Sequence, residues 1–157
     1  YGEYDNALRK IVREMGLVVF AQQSGPIWRG SDFAALPRFP MASSYAGMEQ
    51  FTVKVRSLPL PELSADPDDP LLPRVGSLPR LRLSRAPGDY RKEAGACYAD
   101  GQGRIGAEWM EGEGLVLEVE ADEALPAGRS KYTCTAPSRS GDRYYWYSHL
   151  WIRPAGR

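Results

Sequence analysis

A chain of 157 residues can bury a real core, as one domain or two small ones. With 43% apolar and 25% charged residues its composition is ordinary for a soluble globular protein. Twenty basic and 20 acidic residues cancel, which removes the electrostatic case for nucleic acid or an acidic membrane surface, and no apolar run approaches the roughly 20 residues of a membrane span.

From the N-terminus, Asp5 to Met15 predicts an amphipathic helix. Leu8, Ile11, Val12 and Met15 recur at i, i+3, i+4 and i+7, Asp5 can cap the start and Gly16 can stop the end. Leu17 to Ala21 (LVVFA) is a short continuous apolar run. It predicts a central parallel strand covered on both faces. Gln22 to Met41 is then loop-like, with Gly25, Pro26 and Gly30 as punctuation and Ser31-Asp32 placed to cap a short turn over Phe33-Ala34-Ala35. Gln22 and Gln23 either line a polar pocket or cap the strand end. Tyr45 to Val55 returns to helical periodicity.

Leu58 to Pro79 changes character. Pro59, Pro61, Pro67, Pro70, Pro73 and Pro79 remove backbone donors, so this stretch is expected to be a stiff linker. Asp66, Asp68 and Asp69 within it lack the glycine and distal carboxylate of a calcium loop and read as solvated. From Leu81 onward the pattern is β. Strands are expected around Leu81–Leu83, Ala94–Ala99, Ile105–Met110, Leu115–Val119, Ser130–Ala136 and Tyr144–Ile152, divided by Ala99-Asp100-Gly101, Glu111-Gly112, Pro126-Ala127-Gly128 and Ser140-Gly141-Asp142. Short strands at this spacing predict a β-sandwich. Arg80 and Arg82 are expected to pair with Glu118 and Glu120 on its exposed face. Three parts result: an α/β part over 1–57, a Pro-rich linker over 58–79 and a β-sandwich module over 80–157.

Composition also limits the chemistry. His149 is the one histidine, and a catalytic zinc normally takes two or three with a carboxylate. Cys97 and Cys134 are too far apart for a C-x-x-C pair. No G-x-S-x-G elbow, P-loop or G-x-G-x-x-G is present. No metal site is therefore expected on this chain. The two cysteines would stay reduced in the cytosol and pair in an exported protein; a Cys97–Cys134 disulfide is the expected state.

Tyr1-Gly2, the run G-L-V-V-F-A-Q-Q-S-G-P and the later L-P-R-F-P together resemble the C-terminal part of a NodB-type polysaccharide deacetylase (the carbohydrate esterase family 4 group). The resemblance covers 1 to about 57 and implies an α+β chain: the C-terminal βα part of a NodB-type α/β barrel followed by the β-sandwich. It implies that the metal-binding part of such a domain lies before Tyr1 and that the parent holds a divalent metal, zinc being the expected ion. That parent would remove acetyl groups from a glycan by metal-activated water, with this chain inactive alone. It assigns Arg38 to orienting the catalytic carboxylate, and the Tyr1 backbone amide to the oxyanion in the parent only. The implied partners are a polysaccharide and the missing N-terminal catalytic part, in the periplasm or outside the cell.

The last strand permits a reading of a different class. Alternation places Tyr145, Tyr147, His149 and Trp151 on one face and Tyr144, Trp146, Leu150 and Ile152 on the other. The second face reads as core. The first is either a platform on which sugar rings stack, making Tyr145, Tyr147 and Trp151 substrate-binding residues of a carbohydrate- or partner-binding module, or a surface packed against the rest of the chain. A third possibility is an immunoglobulin-like domain with Cys97 and Cys134 bridging two sheets, since Tyr132-Thr133-Cys134 resembles the corner motif of such domains.

Overall fold

The alternation seen from Leu81 onward produces the strands it predicts. In a computed structural model, which describes residues 2–60, 62–72, 78–111 and 115–154, they are β3 (Arg80–Arg85), β4 (Ala96–Ala99), β5 (Gly103–Glu111), β6 (Leu115–Glu120), β7 (Gly128–Pro137) and β8 (Tyr144–Arg153). Two more come from the Pro-rich stretch: β1 (Leu58–Pro59) and β2 (Glu62–Asp66). They are not split between two packed sheets. All belong to one eight-stranded sheet in the order β1-β8-β7-β4-β5-β6-β3-β2, antiparallel throughout except for the parallel β1–β8 pair.

The order dictates the shape. β1 and β2 are consecutive in the chain but lie at opposite ends of the sheet, with only residues 60 and 61 between them. At about 3.5 Å per residue, so short a connection reaches roughly 10 Å. The sheet must therefore curl until its two edges nearly meet. The curl encloses a core of Leu81, Leu83, Cys97, Ile105, Leu117, Val119, Tyr132, Cys134 and Trp151, all buried. Leu60 and Leu72 join it or pack beside it, so the stretch expected to be a linker contributes two strands and buried apolar side chains. Proline suits this place, because an edge strand has one side that needs no donor.

Two covalent or polar ties fix the curl. Cys97 and Cys134 stand directly opposite each other on β4 and β7, with Cα atoms 4.1 Å apart, and form the expected disulfide. It joins neighbours within one sheet, which removes the immunoglobulin-like arrangement. The buried Tyr132 hydroxyl donates to the Pro79 carbonyl at 2.7 Å and accepts from the Ala121 amide at 3.0 Å, tying β7 to the entry of β3 and the exit of β6. On the outer face Arg80 pairs with Glu118 and Glu120, and Arg82 with Glu118, as the alternation predicts. Such exposed pairs are each worth at most about 1 kcal/mol.

The N-terminal part departs from its expected form. Helix α1 (Asn6–Glu14) has the predicted cap, Asp5 accepting from the Leu8 amide at 2.8 Å, and the predicted stop at Gly16, which takes φ 66°. Its orientation is reversed, however. Arg9 and Val12 are buried, while Leu8, Ile11 and Met15 are 45%, 51% and 65% exposed. The LVVFA run is not a covered central strand either. It makes a single parallel bridge, Phe20 to Leu36, and leaves Leu17, Val18 and Phe20 about half exposed. Helix α2 (Met48–Arg56) likewise turns Met48, Phe51 and Val55 outward and buries Lys54, whose ammonium donates to the Pro40 and Tyr45 carbonyls. A C-terminal part of an α/β barrel would need a parallel sheet with both faces covered. The described residues contain one curled, mainly antiparallel sheet and two short helices instead.

The odd face of β8 packs inward: Trp151 is 1% exposed and meets Tyr132 edge-on at 5.5 Å, while Tyr145 and Tyr147 pack against the core. Trp151→Ala is therefore expected to cost about 3–5 kcal/mol in a guanidinium melt, the range for emptying a large aromatic site. Replacing both cysteines by Ala is expected to cost about 3–4 kcal/mol by the same measurement, from loop-closure entropy.

Candidate functional site

Curling leaves a seam where the ends of the sheet face each other. β8 is bonded along this edge at two places. Leu60 donates its amide to the Trp146 carbonyl at 3.0 Å. Further on, Ile152 donates to the Pro70 carbonyl and accepts from the Leu72 amide, both at 2.8 Å. Between these points the chain leaves β8, runs through β2 on the far edge and returns. The space left is a cavity of about 190 Å3. Ala65 and Asp68 line it from the β2 side, Tyr147 to Leu150 from β8, and the N-terminal part roofs it with Tyr4, Arg9, Gln23, Trp28 and Asp32.

Local sequence explains the roof. The loop from Gln22 to Phe39 lies on the even face of β8. Phe39 meets Trp146 edge-on at 5.3 Å, the Ser24 and Ser148 hydroxyls are 3.3 Å apart, and the Ser148 hydroxyl also donates to the Ser24 carbonyl. Gly25 packs in the same contact: a Cβ there would stand at ordinary van der Waals distance, 3.6 Å from Pro37 and 3.7 Å from the Trp146 ring. Asp32 caps its own turn, accepting from the Ala34 amide at 3.0 Å, and pairs with Arg13 at 2.7 Å.

An ion pair links roof to sheet. The buried Arg9 guanidinium bonds both carboxylate oxygens of Asp68 and lies 3.5 Å from Asp32. Burial opposes the Arg9 charge, but Asp68 more than offsets it, so its pKa stands above the ordinary guanidinium value. This requirement of a charged partner turns the Arg9 side of α1 inward together with Val12, and leaves Leu8, Ile11 and Met15 outward.

Among the described residues, Arg9 Nε, Gln23 Oε1 and His149 Nε2, buried atoms of lining residues, have no hydrogen-bond partner. Gln23 uses its amide nitrogen on the Ala35 carbonyl at 2.6 Å, and His149 Nδ1 lies 3.3 Å from the Tyr147 hydroxyl. Burial lowers the His149 pKa to about 4, with Asp68 opposing and Arg9 adding to the shift. The imidazole is therefore neutral at pH 7. With Arg9 matched by carboxylates, the cavity offers hydrogen bonds and aromatic walls without an unmatched charge.

The residues singled out from sequence are dispersed relative to this cavity. Arg38 is exposed and donates from Nε to the Ala21 carbonyl at 2.9 Å, tying down its loop; no carboxylate partner of Arg38 is among the described contacts. Tyr1 lies outside the described residues. Tyr147 lines the cavity, but Trp151 and Tyr145 do not. The Tyr145–Tyr147–Trp151 face is therefore not an open platform, because the curl turns it into the core. Gln23 lines the cavity, as one of its two readings had it. Arg9, Trp28 and Asp68 carried no motif, and only the fold brings them together. Among the described residues no group of three His, Cys, Asp or Glu side chains is placed to hold a metal ion, and no helix is long and apolar enough to cross a membrane.

No family model matches the chain, and no curated protein matches it. Among solved structures, the crystal structure of PcoC, a methionine-rich copper resistance protein from Escherichia coli, is similar at 14% identity, covering 61% of this chain and 99% of that one, with a TM-score of 0.38. So weak a likeness transfers neither fold nor copper binding. The resemblance to NodB-type deacetylases is overturned: no such family matches, the described residues up to 57 form two short helices and a single bridge in place of the α/β-barrel part, and one curled sheet stands in place of the β-sandwich.

His149 gives the site a pH signature. Its folded pKa is depressed, so the unfolded chain takes up the proton first as pH falls. The stability tied to neutral His149 is complete above about pH 6.5 and is lost between there and about pH 4. The loss is on the order of 3 kcal/mol. His149→Phe is expected to flatten the plot of stability against pH in that window, measured by denaturant titration. An unchanged slope would show that His149 is not held neutral.

Proposed function

We propose that this chain is a binding module and that its ligand, an uncharged group rich in hydrogen-bonding capacity, occupies the seam cavity. The observation that carries this reading is a cavity of about 190 Å3 lined both by the buried polar residues Arg9, Gln23 and His149 and by aromatic side chains. Polar residues buried around one space favour a group able to exchange hydrogen bonds with them, because buried polar groups are almost always paired. The walls formed by Tyr4, Trp28, Trp146 and Tyr147 suit a ligand with an apolar face. Sugar rings and uncharged polypeptide share this chemistry, so the carbohydrate- or partner-binding reading drawn from β8 moves to the seam. The Cys97–Cys134 disulfide supports a place of action in the periplasm or outside the cell.

Calorimetric titration with neutral oligosaccharides and with capped, uncharged peptides tests the reading. One of the two classes is expected to bind. Trp28→Ala and Gln23→Ala should then weaken that binding about tenfold or more, equivalent to about 1.4 kcal/mol, Trp28→Ala at a melting temperature close to that of the parent. Binding that both variants leave intact would place the ligand elsewhere.

A further inference from the structure

The seam has a second property, independent of its side chains. In a strand, backbone groups of alternate residues point to the same edge. Trp146 and Ile152 bond to the chain on the outer edge of β8, so Ser148 and Leu150, which lie between them, direct their own N–H and C=O groups to that edge. Among the described residues no group pairs with them there. Both residues are buried, at 6% and 1% exposure, and both line the cavity. Buried backbone groups are almost always paired, with chain, water or ligand.

We propose that the seam is completed by a short extended peptide segment of a partner polypeptide, laid along Ser148 and Leu150 as an added strand. This rests on the reading of the cavity as a binding site, and it names the ligand. Trp146 to Ile152 spans about 20 Å at about 3.3 Å per residue, and both ends are occupied by Leu60 and by Pro70 to Leu72. About three residues of extended chain fit between. Their side chains alternate between the roof, where Gln23 and Trp28 lie, and the inner face of β8, where His149 lies. Neutral His149, amide Gln23 and charge-matched Arg9 leave nothing to neutralise a further charge, so the inserted residues are uncharged. Main-chain bonds supply affinity and the two alternating faces supply selectivity, as in other strand-addition sites.

The test uses the whole oxidised chain with three probes: a pool of tripeptides of Ser, Thr, Val and Gln blocked at both ends, the same peptides N-methylated at the central amide, and neutral oligosaccharides. Backbone amide exchange is followed by NMR. The blocked tripeptides are expected to slow exchange at the Ser148 and Leu150 amides tenfold or more, and N-methylation should weaken binding tenfold or more. Equal binding by N-methylated peptides overturns strand addition. So does full protection of both amides before any peptide is added. If oligosaccharides bind in the seam and peptides do not, strand addition falls while the binding-module reading stands. If neither probe perturbs the seam, both fall. Because the modification is made on the ligand, no outcome depends on a variant that fails to fold.

Discussion

The connection between β1 and β2 is the constraint on which the rest of the structure depends. A chain that bonds to β8 at Leu60 and reaches the opposite edge by Glu62 leaves the sheet no freedom to lie flat. The core follows, because only a curled sheet can bring Leu81 and Leu83 of β3 into one cluster with Trp151 of β8. The cavity follows too. The same chain that draws the edges together then departs from β8 between Leu60 and Pro70, so closure and opening have one cause.

Electrostatics decides how the N-terminal part sits on this frame. A helix with a well-formed apolar stripe ordinarily buries it. Here α1 buries Arg9, since Asp68 and Asp32 are within reach and a buried guanidinium without them would be costly. α2 repeats the arrangement with Lys54 held by carbonyl oxygens. In both helices a cation serves as an anchor, and most of the large apolar residues face outward, Val12 excepted. The roof is therefore attached by directional polar contacts, which fix Gln23, Trp28 and Tyr4 over the seam more specifically than apolar packing alone would.

How far these features are legible in the sequence differs by region. The strands from β3 to β8 are legible because each alternates on its own, and turn glycines such as Gly101, Gly128 and Gly141 take the positive φ that the turns require. The disulfide is legible from two cysteines in β-like runs. What alternation cannot give is which face of β8 is inside: both carry aromatic residues, and the choice depends on the sense of a curl set by β1, which lies far away in the sequence. The prolines from Pro59 to Pro70 mark a linker and an edge strand equally well. The apolar run Leu17 to Phe20 has the composition of a buried strand, yet burial needs a covering layer that no local pattern records. At the site, Gln23 was visible as a pocket candidate, whereas Arg9 and Asp68 are an ordinary helix cation and an ordinary loop acid until the fold joins them.

The Cys97–Cys134 bond has a consequence for how the molecule assembles. It closes a loop that contains all of β5 and β6, and it holds β4 and β7 side by side even when the chain is unfolded. Oxidised chains thus begin with the central strands already in near-native proximity. β1 and β2 lie outside that loop, and their partners β8 and β3 must be in place before either can pair. Pairing of β1 with β8 joins segments distant in sequence and draws no help from that loop. The seam thus closes without covalent help, and anything bound there acts on the closing of the curled sheet.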